Sequence, residues 1–314
     1  MTQIRGSGDY TPGSDSWMIG HTSMVYWALG VVASKDTLWT TSHQPGCPKP
    51  GTLNCTEPNV ELQVISATLS WGPVGPGDRL NRTDHDLTLR SCTTNGTILR
   101  PRAPMAPLEG VFSSARFGAT GGDGALFPWG AVVGPSGAPD AFVVLHHAGP
   151  VAQSHARVNA TVAELAALPG ATGGTAGRYL AISMSDWGPA AGADPEMRVV
   201  DAVTPLALDL SGTSPPRTQA AVYQYWLLAP IDPASGLVLL GELGKVVPLS
   251  AQRVSAVTFG AGLRAEIVGA AGETVEISAV NTKTMARIDA VCTIAPRGTA
   301  TFQCAASPDA CSCA

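Results

Sequence analysis

Carboxylates and tryptophans are the side chains of this sequence whose types could support chemistry on sugars. Asp78 and Glu109 could form the carboxylate pair of a glycoside hydrolase, but the sequence gives no element that would hold them roughly 5–10 Å apart. Trp129 in LFPWG and Trp187 in SDWGP lie in turn contexts, where an indole ring can present its face to a sugar. We therefore take Trp129 and Trp187 as candidate glycan-binding residues.

Two histidine motifs could suggest a metal site, but neither has suitable geometry. His146 and His147 end a predicted strand, and adjacent strand residues face opposite ways, so we expect one to be buried and the other exposed. Asp84-His85-Asp86 follows a sequon and is expected to be a solvated turn. The chain has no C-x-x-C pair, P-loop, Rossmann glycine fingerprint, H-E-x-x-H or G-x-S-x-G motif. We predict no metal site and no cofactor.

Four of the six asparagines begin an N-x-[ST] triplet, which is more than chance would give. Glycosylation of surface loops in a secreted protein would explain this excess. The alternative is that Asn and Thr are both frequent in turns. The predicted N-glycosylation sites are Asn54, Asn81, Asn95 and Asn159.

Two cysteine pairs have the spacing of disulfides. Cys47 and Cys55 bracket the loop CPKPGTLNC. Cys292 and Cys304 lie in two β-like runs around a Pro-Arg-Gly turn, and facing positions of a hairpin can reach disulfide distance. We therefore predict the bonds Cys47–Cys55 and Cys292–Cys304.

Three other cysteines remain, Cys92, Cys311 and Cys313, so at least one of them has no partner within the chain. Cys311 and Cys313 are too close in sequence to pair with each other, so we expect one of them to reach Cys92. An unpaired cysteine in a secreted chain suggests a free thiol or a bond to another chain. The N-terminal residues MTQIRGSGDY contain no apolar signal core, so secretion requires either that this N-terminus is not the original one or that a signal segment has been removed.

The composition excludes several classes of protein. Of 314 residues, 14% are charged, 45% are hydrophobic and only four are lysines, and the net charge is −5. This balance disfavours disorder and gives no basic surface for nucleic acid. The longest apolar stretch, 17–33, is too short and too interrupted for a membrane span. The high count of 35 Gly and 25 Pro favours short elements and many turns.

The periodicity predicts a mainly β protein with a small α/β part at its N-terminus. Helices are predicted over 17–33, buried on all sides, and over about 56–71, with a short strand at TLWTTS between them. From residue 111 onward, short strands with turn punctuation predict antiparallel β-sandwiches after a partial barrel-like helix–strand unit. The predicted domains are 1–108 (α/β), 109–215 (antiparallel β) and 216–314 (β-sandwich with a disulfide-rich tail).

Two stretches carry a family resemblance. Residues 59–112 contain NVELQVISATLSWGPVGPGDRL and NGTILRPRAP, which resemble the last strand–helix unit of the (β/α)8 barrel in the α-galactosidase/raffinose-synthase group of glycoside hydrolases. Residues 223–250, YQYWLLAPID…GLVLLGELGKVVPLS, are similar to the C-terminal β-domain of that group. The likeness is closest to uncharacterised secreted eukaryotic relatives, and it extends to the segment GHTSMVYWALG. Glu109 stands where the group usually has an aspartate.

This resemblance implies one site residue and no catalytic one. In the group, the nucleophile and the acid/base are carboxylates on earlier barrel strands, and the chain before residue 59 is too short to contain those strands. Asp78 matches a position near the barrel mouth, where an acid could contact sugar hydroxyls. Asp78 therefore joins Trp129 and Trp187 as a candidate glycan-binding residue.

Together these observations predict a secreted, N-glycosylated, non-catalytic protein that assembles with copies of itself. Low charge and an incomplete barrel would leave apolar helix faces and strand edges that a neighbour must cover, as in a subunit of an extracellular filament or layer. The alternatives are a carbohydrate-binding protein and a glycoside hydrolase fragment completed by another chain. The expected partners are other copies of the chain and glycans.

Overall fold

The computed structural model describes residues 3–13, 19–45, 56–108, 127–148, 157–184, 195–210, 222–260, 262–306 and 309–314. In these residues the fold is mainly β with few helices, as predicted, and its larger sheets are antiparallel.

The N-terminal part is a βαβα unit. Strands β1 (Gln3–Arg5) and β2 (Val32–Ser34) pair in parallel, with helix α1 (Gly20–Ala28) between them and helix α2 (Val60–Leu69) after them. This confirms the predicted α/β part. The segment TLWTTS is not a strand, because its residue Leu38 forms only an isolated bridge to Pro76.

The two helices differ in burial. Helix α2 has eight consecutive buried residues, Leu62 to Leu69, so it packs on all sides, as an apolar helix in an interior must. Helix α1 was expected to do the same, and that expectation is wrong. Only Gly20 and Ser23 of α1 are buried, because the helix rests on the protein along one edge and its opposite face points away from the described chain.

A six-stranded antiparallel sheet forms the centre of the molecule. Its strands, in sheet order, are β3 (Ala106–Pro107), β4 (Phe127–Val133), β5 (Ala141–Ala148), β10 (Val222–Pro230), β7 (Arg178–Ser183) and β8 (Met197–Asp201). Both faces of this sheet are covered: Val143 belongs to one apolar cluster and its neighbour Val144 to the other. Strand β10 follows the predicted domain boundary at 216 yet lies between β5 and β7, so the central sheet crosses that boundary.

Shorter elements flank this sheet. They are α3 (His85–Leu89), β6 (Arg157–Ala160), α4 (Val162–Ala166) and β9 (Leu206–Asp209), with β6 and β9 forming a two-stranded ribbon. Thr161 caps α4 through a capping box, in which its side chain accepts from the Glu164 N–H and the Glu164 carboxylate accepts from the Thr161 N–H.

The C-terminal part has two further antiparallel sheets. One has the order β11 (Leu237–Gly241), β14 (Thr274–Asn281), β15 (Ala286–Thr293), and the other β12 (Val254–Phe259), β13 (Gly262–Val268), β16 (Thr299–Ala306), β17 (Asp309–Cys313). In β13, the buried residues Leu263, Ala265 and Ile267 alternate with exposed ones. The buried apolar residues of both C-terminal sheets belong to the same cluster as those of α2 and of one face of the central sheet. A single core therefore runs through the N-terminal part, the central sheet and the C-terminal part.

The disulfides of this region differ from the predicted pairing. Cys304 of β16 bonds Cys311 of β17, and Cys292 of β15 bonds Cys313 of β17. The predicted Cys292–Cys304 bond is wrong because the tail folds as β17 directly beside β16, which places Cys311 opposite Cys304. The predicted bond of Cys92 to the tail is also wrong: Cys92 is half-buried and not in a disulfide.

The predicted Cys47–Cys55 bond lies outside the described residues. The two bonds that are described join both C-terminal sheets to the same last strand. Cys292 belongs to the sheet of β14, and Cys304 to the sheet of β13.

A buried ion-pair network also stabilises the sandwich. The Arg253 guanidinium is fully buried and donates to Glu242 Oε2 at 2.7 Å, to Glu273 Oε1 at 2.8 Å and to the Val268 carbonyl at 2.8 Å. Burial alone would raise the pKa of Glu273, but hydrogen bonds from Arg253 and the Ala270 N–H outweigh it and lower the pKa to about 2. Every buried charge of this network therefore has a partner.

Candidate functional site

The loops that follow β1 and β2 meet around a buried glutamate. Glu57 is fully buried, and its Oε2 accepts from the Tyr10 hydroxyl at 2.8 Å, the Gly13 N–H at 3.2 Å and Gln63 Nε2 at 3.2 Å. Its Oε1 accepts from the Asn59 N–H at 2.9 Å. Burial, followed by the nearby Glu57 carboxylate, raises the pKa of Tyr10. This carboxylate therefore ties the N-terminal loop to the start of α2.

Lys35, the residue after β2, is a buried amine beside this carboxylate. It is 5% exposed, and its Nζ lies 4.9 Å from the centre of the Tyr10 ring and 3.4 Å from the Thr37 carbonyl oxygen. Among the described residues no carboxylate forms an ion pair with it. Burial lowers the pKa of Lys35 to about 8, although Glu57 and Asp36 oppose the change. The site therefore holds an ammonium whose main neighbour is an aromatic face.

Asp78, the predicted sugar contact, lies next to this cluster but is already engaged. Its Oδ1 accepts from the Thr40 N–H at 2.8 Å and from Gln44 Nε2 at 2.8 Å, and its Oδ2 accepts from Thr40 Oγ1 at 2.7 Å. A carboxylate has about four acceptor positions, so little capacity remains for a ligand. In this structure Asp78 fixes the loop after β2.

The two candidate stacking tryptophans are not a pair of exposed platforms. Trp129 is 4% exposed, and its ring lies under the start of α1, edge-on to His21 with ring centres 4.8 Å apart. A Cβ at Gly20 would lie 2.4 Å from the Trp129 ring, so only glycine permits this close approach. The prediction of an exposed Trp129 is therefore wrong, and Trp187 lies outside the described residues.

Both histidines of the VVLHH strand end are buried, contrary to the expectation of one exposed ring. His146 is 0% exposed and His147 is 4% exposed, because the central sheet is covered on both faces. Burial, with a smaller contribution from His146, lowers the pKa of His147 to about 4.

Three of the four predicted sequons lie in described residues, and each presents an exposed asparagine: Asn81, Asn95 and Asn159. The Asn95 Oδ1 accepts from the Thr93 hydroxyl at 2.6 Å and from the Thr97 hydroxyl at 3.0 Å. Asn81 has a φ of 63°, in the left-handed region that asparagine tolerates. Asn54 lies outside the described residues.

Two apolar surfaces are open. On α1, Val25 is 54% exposed and Leu29, just after the helix, is 69% exposed; with the exposed Ala28 they form a stripe that we call the α1 face. The second surface is a groove of about 710 Å³ between α1, β3 and α4. Of its lining residues in the described chain, Glu164 is the only charged one.

Within the described residues there is no group of three or more His, Cys, Asp or Glu side chains placed to hold a metal ion. No helix in this part of the chain has the length and apolar character needed to cross a membrane.

No family model matches the sequence, and no curated protein aligns with it significantly.

The sequence reasoning missed Glu57, Lys35 and the groove. Glu57 precedes Pro58 at a helix start, where an acidic residue is common, so its burial had no separate signal. Lys35 directly follows the apolar run VVAS, and a lysine that continues a buried strand is the pattern that could have revealed it. The groove depends on the packing of elements far apart in sequence.

Proposed function

We propose that the protein is a secreted, N-glycosylated structural protein that associates with copies of itself through the α1 face. The observation that carries the proposal is the exposure of this face, formed by Val25, Ala28 and Leu29. Helix α1 contains no charged residue. In an isologous contact the same patch meets itself across a two-fold axis, so a face without charge meets no like-charge repulsion. A partner with a strongly charged surface would form no ion pairs with this face.

The exposed strand β1 of the β1–β2 pair supports the same proposal. A two-stranded parallel sheet is rarely stable alone, and parallel sheets are normally covered on both faces. In the described chain β1 pairs only with β2, and all three residues of β1 are exposed. A neighbouring copy could extend this sheet and cover α1 at once.

Secretion and glycosylation rest on other observations. Two disulfides fix the C-terminal strand, and such bonds form and persist in oxidising compartments. The three described sequon asparagines are exposed, as glycosylation requires.

The decisive experiment is sedimentation velocity on the protein secreted from a eukaryotic host, with intact mass measured on the same sample. We expect dimers or longer assemblies at micromolar concentration, and we expect Leu29→Glu to dissociate them because it places a charge in the self-contact. Leu80→Glu is the matched control, since Leu80 is 87% exposed and lies in the loop between α2 and α3, outside the α1 face. A monomeric wild type, or equal dissociation by both variants, would overturn the proposal.

A second function, glycan binding, is favoured by the cluster after β1 and β2. Ligands of parallel sheets bind outside the carboxyl ends of the strands, where Tyr10, Lys35 and the half-buried Trp39 gather. Retention on polysaccharide columns tests it: binding that is lost in Trp39→Ala would support this function. A wild type that passes through every column would exclude it.

A further inference from the structure

The groove between α1, β3 and α4 has the size and character of a ligand site. Its volume of about 710 Å³ lies within the roughly 300–1,000 Å³ of pockets for small organic ligands. The apolar residues of its lining include Met24 of α1, Pro107 and Leu108 at the end of β3, and Leu168 and Pro169 after α4. This lining is apolar and offers flat, rigid proline rings.

Asn159 is itself one of the residues that line this groove. It is exposed on β6 between Val158 and Ala160, whose side chains pack inward. Its side chain makes no hydrogen bond with the described residues, so the amide nitrogen that would carry a sugar is available. Asn81, the comparable exposed sequon residue, is not among the residues that line the groove.

We propose that the groove seats the first sugars of an N-linked glycan carried by Asn159. The inference rests on the proposed function for the glycosylation itself, and adds where that glycan lies. A pyranose ring has an apolar C–H face and a polar rim, so its face can pack on Pro107 and Pro169 while its rim stays in water. The N-acetyl methyl group of the first sugar fits the same apolar lining.

The single charged residue of the lining suits a sugar as well. Glu164 Oε2 accepts from the Thr161 hydroxyl at 2.7 Å and from the Thr161 N–H at 2.9 Å. Its Oε1 makes no hydrogen bond with the described residues and can accept from a sugar hydroxyl or an acetamide N–H. One acceptor beside an apolar floor is a common arrangement for a small polar ligand with an apolar face.

A glycan on Asn159 is favoured over a free ligand because it is tethered at the groove. A tethered group does not lose the translational freedom that a free ligand loses on binding, and its effective concentration reaches millimolar values. Weak packing on a shallow apolar groove is then sufficient.

The test is endoglycosidase digestion of the native secreted glycoprotein, followed site by site by glycopeptide mass spectrometry. We expect the Asn159 glycan to be released at least about tenfold more slowly than the Asn81 glycan of the same molecules, a factor equivalent to ~1.4 kcal/mol of protection. Ala163→Arg and Ala167→Arg fill the groove from exposed positions without altering the sequon, and each should bring the two rates together. Thermal melts of these variants that match the wild type show that the fold is intact.

Several outcomes would overturn the inference. One is release of both glycans at the same rate in the wild type, and another is protection at Asn159 that survives both arginine variants. Glycans on Asn81 and Asn95 but none on Asn159 would refute it while leaving the proposed function standing. An intact mass without any glycan would refute the glycosylation in the proposed function as well.

Discussion

Burial of His147 is expected to make the protein sensitive to acid. The pKa of His147 is about 4 in the folded protein, against 6.5 for an unperturbed histidine. Between these two values the unfolded chain binds a proton that the folded protein does not, so stability increases with pH across this window. The part of the unfolding free energy that depends on a neutral His147 is fully present above about pH 6.5 and is lost as the pH falls towards 4.

The size of the effect follows from the same two values. A difference between 6.5 and about 4 corresponds to roughly 3 kcal/mol of unfolding free energy, because each pKa unit is equivalent to about 1.36 kcal/mol. Folded proteins are stable by only about 5–15 kcal/mol, so this one ring can account for a large share of acid unfolding.

Urea unfolding followed by tryptophan fluorescence at pH 7, 5.5 and 4 would measure how the unfolding free energy depends on pH. We expect His147→Leu to remove about 3 kcal/mol of the fall in unfolding free energy between pH 7 and pH 4. Each variant is compared with itself at two pH values, so a constant cost of the substitution cancels. His85→Leu is the control, since His85 is exposed. An equal pH dependence in wild type and His147→Leu would refute the reasoning.

Three other perturbations have a clear expected direction. Lys35→Met should raise the unfolding free energy at pH 7 by up to about 3 kcal/mol, because the substitution removes a buried ammonium. This gain should shrink as the pH rises from 8 to 10.5, and urea titrations that show no gain at pH 7 would contradict the prediction. Glu273→Gln should lower the unfolding free energy by about 1–3 kcal/mol in urea titrations, because Arg253 keeps its ion pair with Glu242 but loses the charged hydrogen bonds to Glu273, whereas Glu276→Gln at an exposed position of β14 should cost little. Asp78→Ala should cost about 1–3 kcal/mol and hasten proteolytic cleavage in the 38–44 loop, and unchanged cleavage would contradict it.

The sandwich strands were predictable because each buries only one face. In 263–267 apolar and polar residues alternate strictly, as in a strand with one buried face, and β13 lies there, at Gly262–Val268. Helix α2 was predictable for a similar reason, since its apolar residues run through ten positions bounded by Pro58 and Gly72.

The failures come from contacts between elements far apart in sequence. Trp129 has the local context of a turn, but α1 lies over its ring, more than a hundred residues earlier in the chain. The cysteine pairing failed because 309–313 has no strand signal of its own and becomes β17 only through its register with β16. The groove at Asn159 likewise exists only once α1, β3 and α4 are assembled.

The two disulfides of β17 also determine how the protein would bear a pulling force. In a hairpin without crosslinks, tension on the last residue peels the edge strand from its neighbour one hydrogen bond at a time. Here tension applied at Ala314 passes through Cys313 to Cys292 and so into the sheet of β14, while Cys311 loads β16. The load is shared between two sheets, so the C-terminus should resist extension until the sandwich itself opens. After reduction of these bonds, β17 would be held only by hydrogen bonds and packing, and tension could separate it from β16.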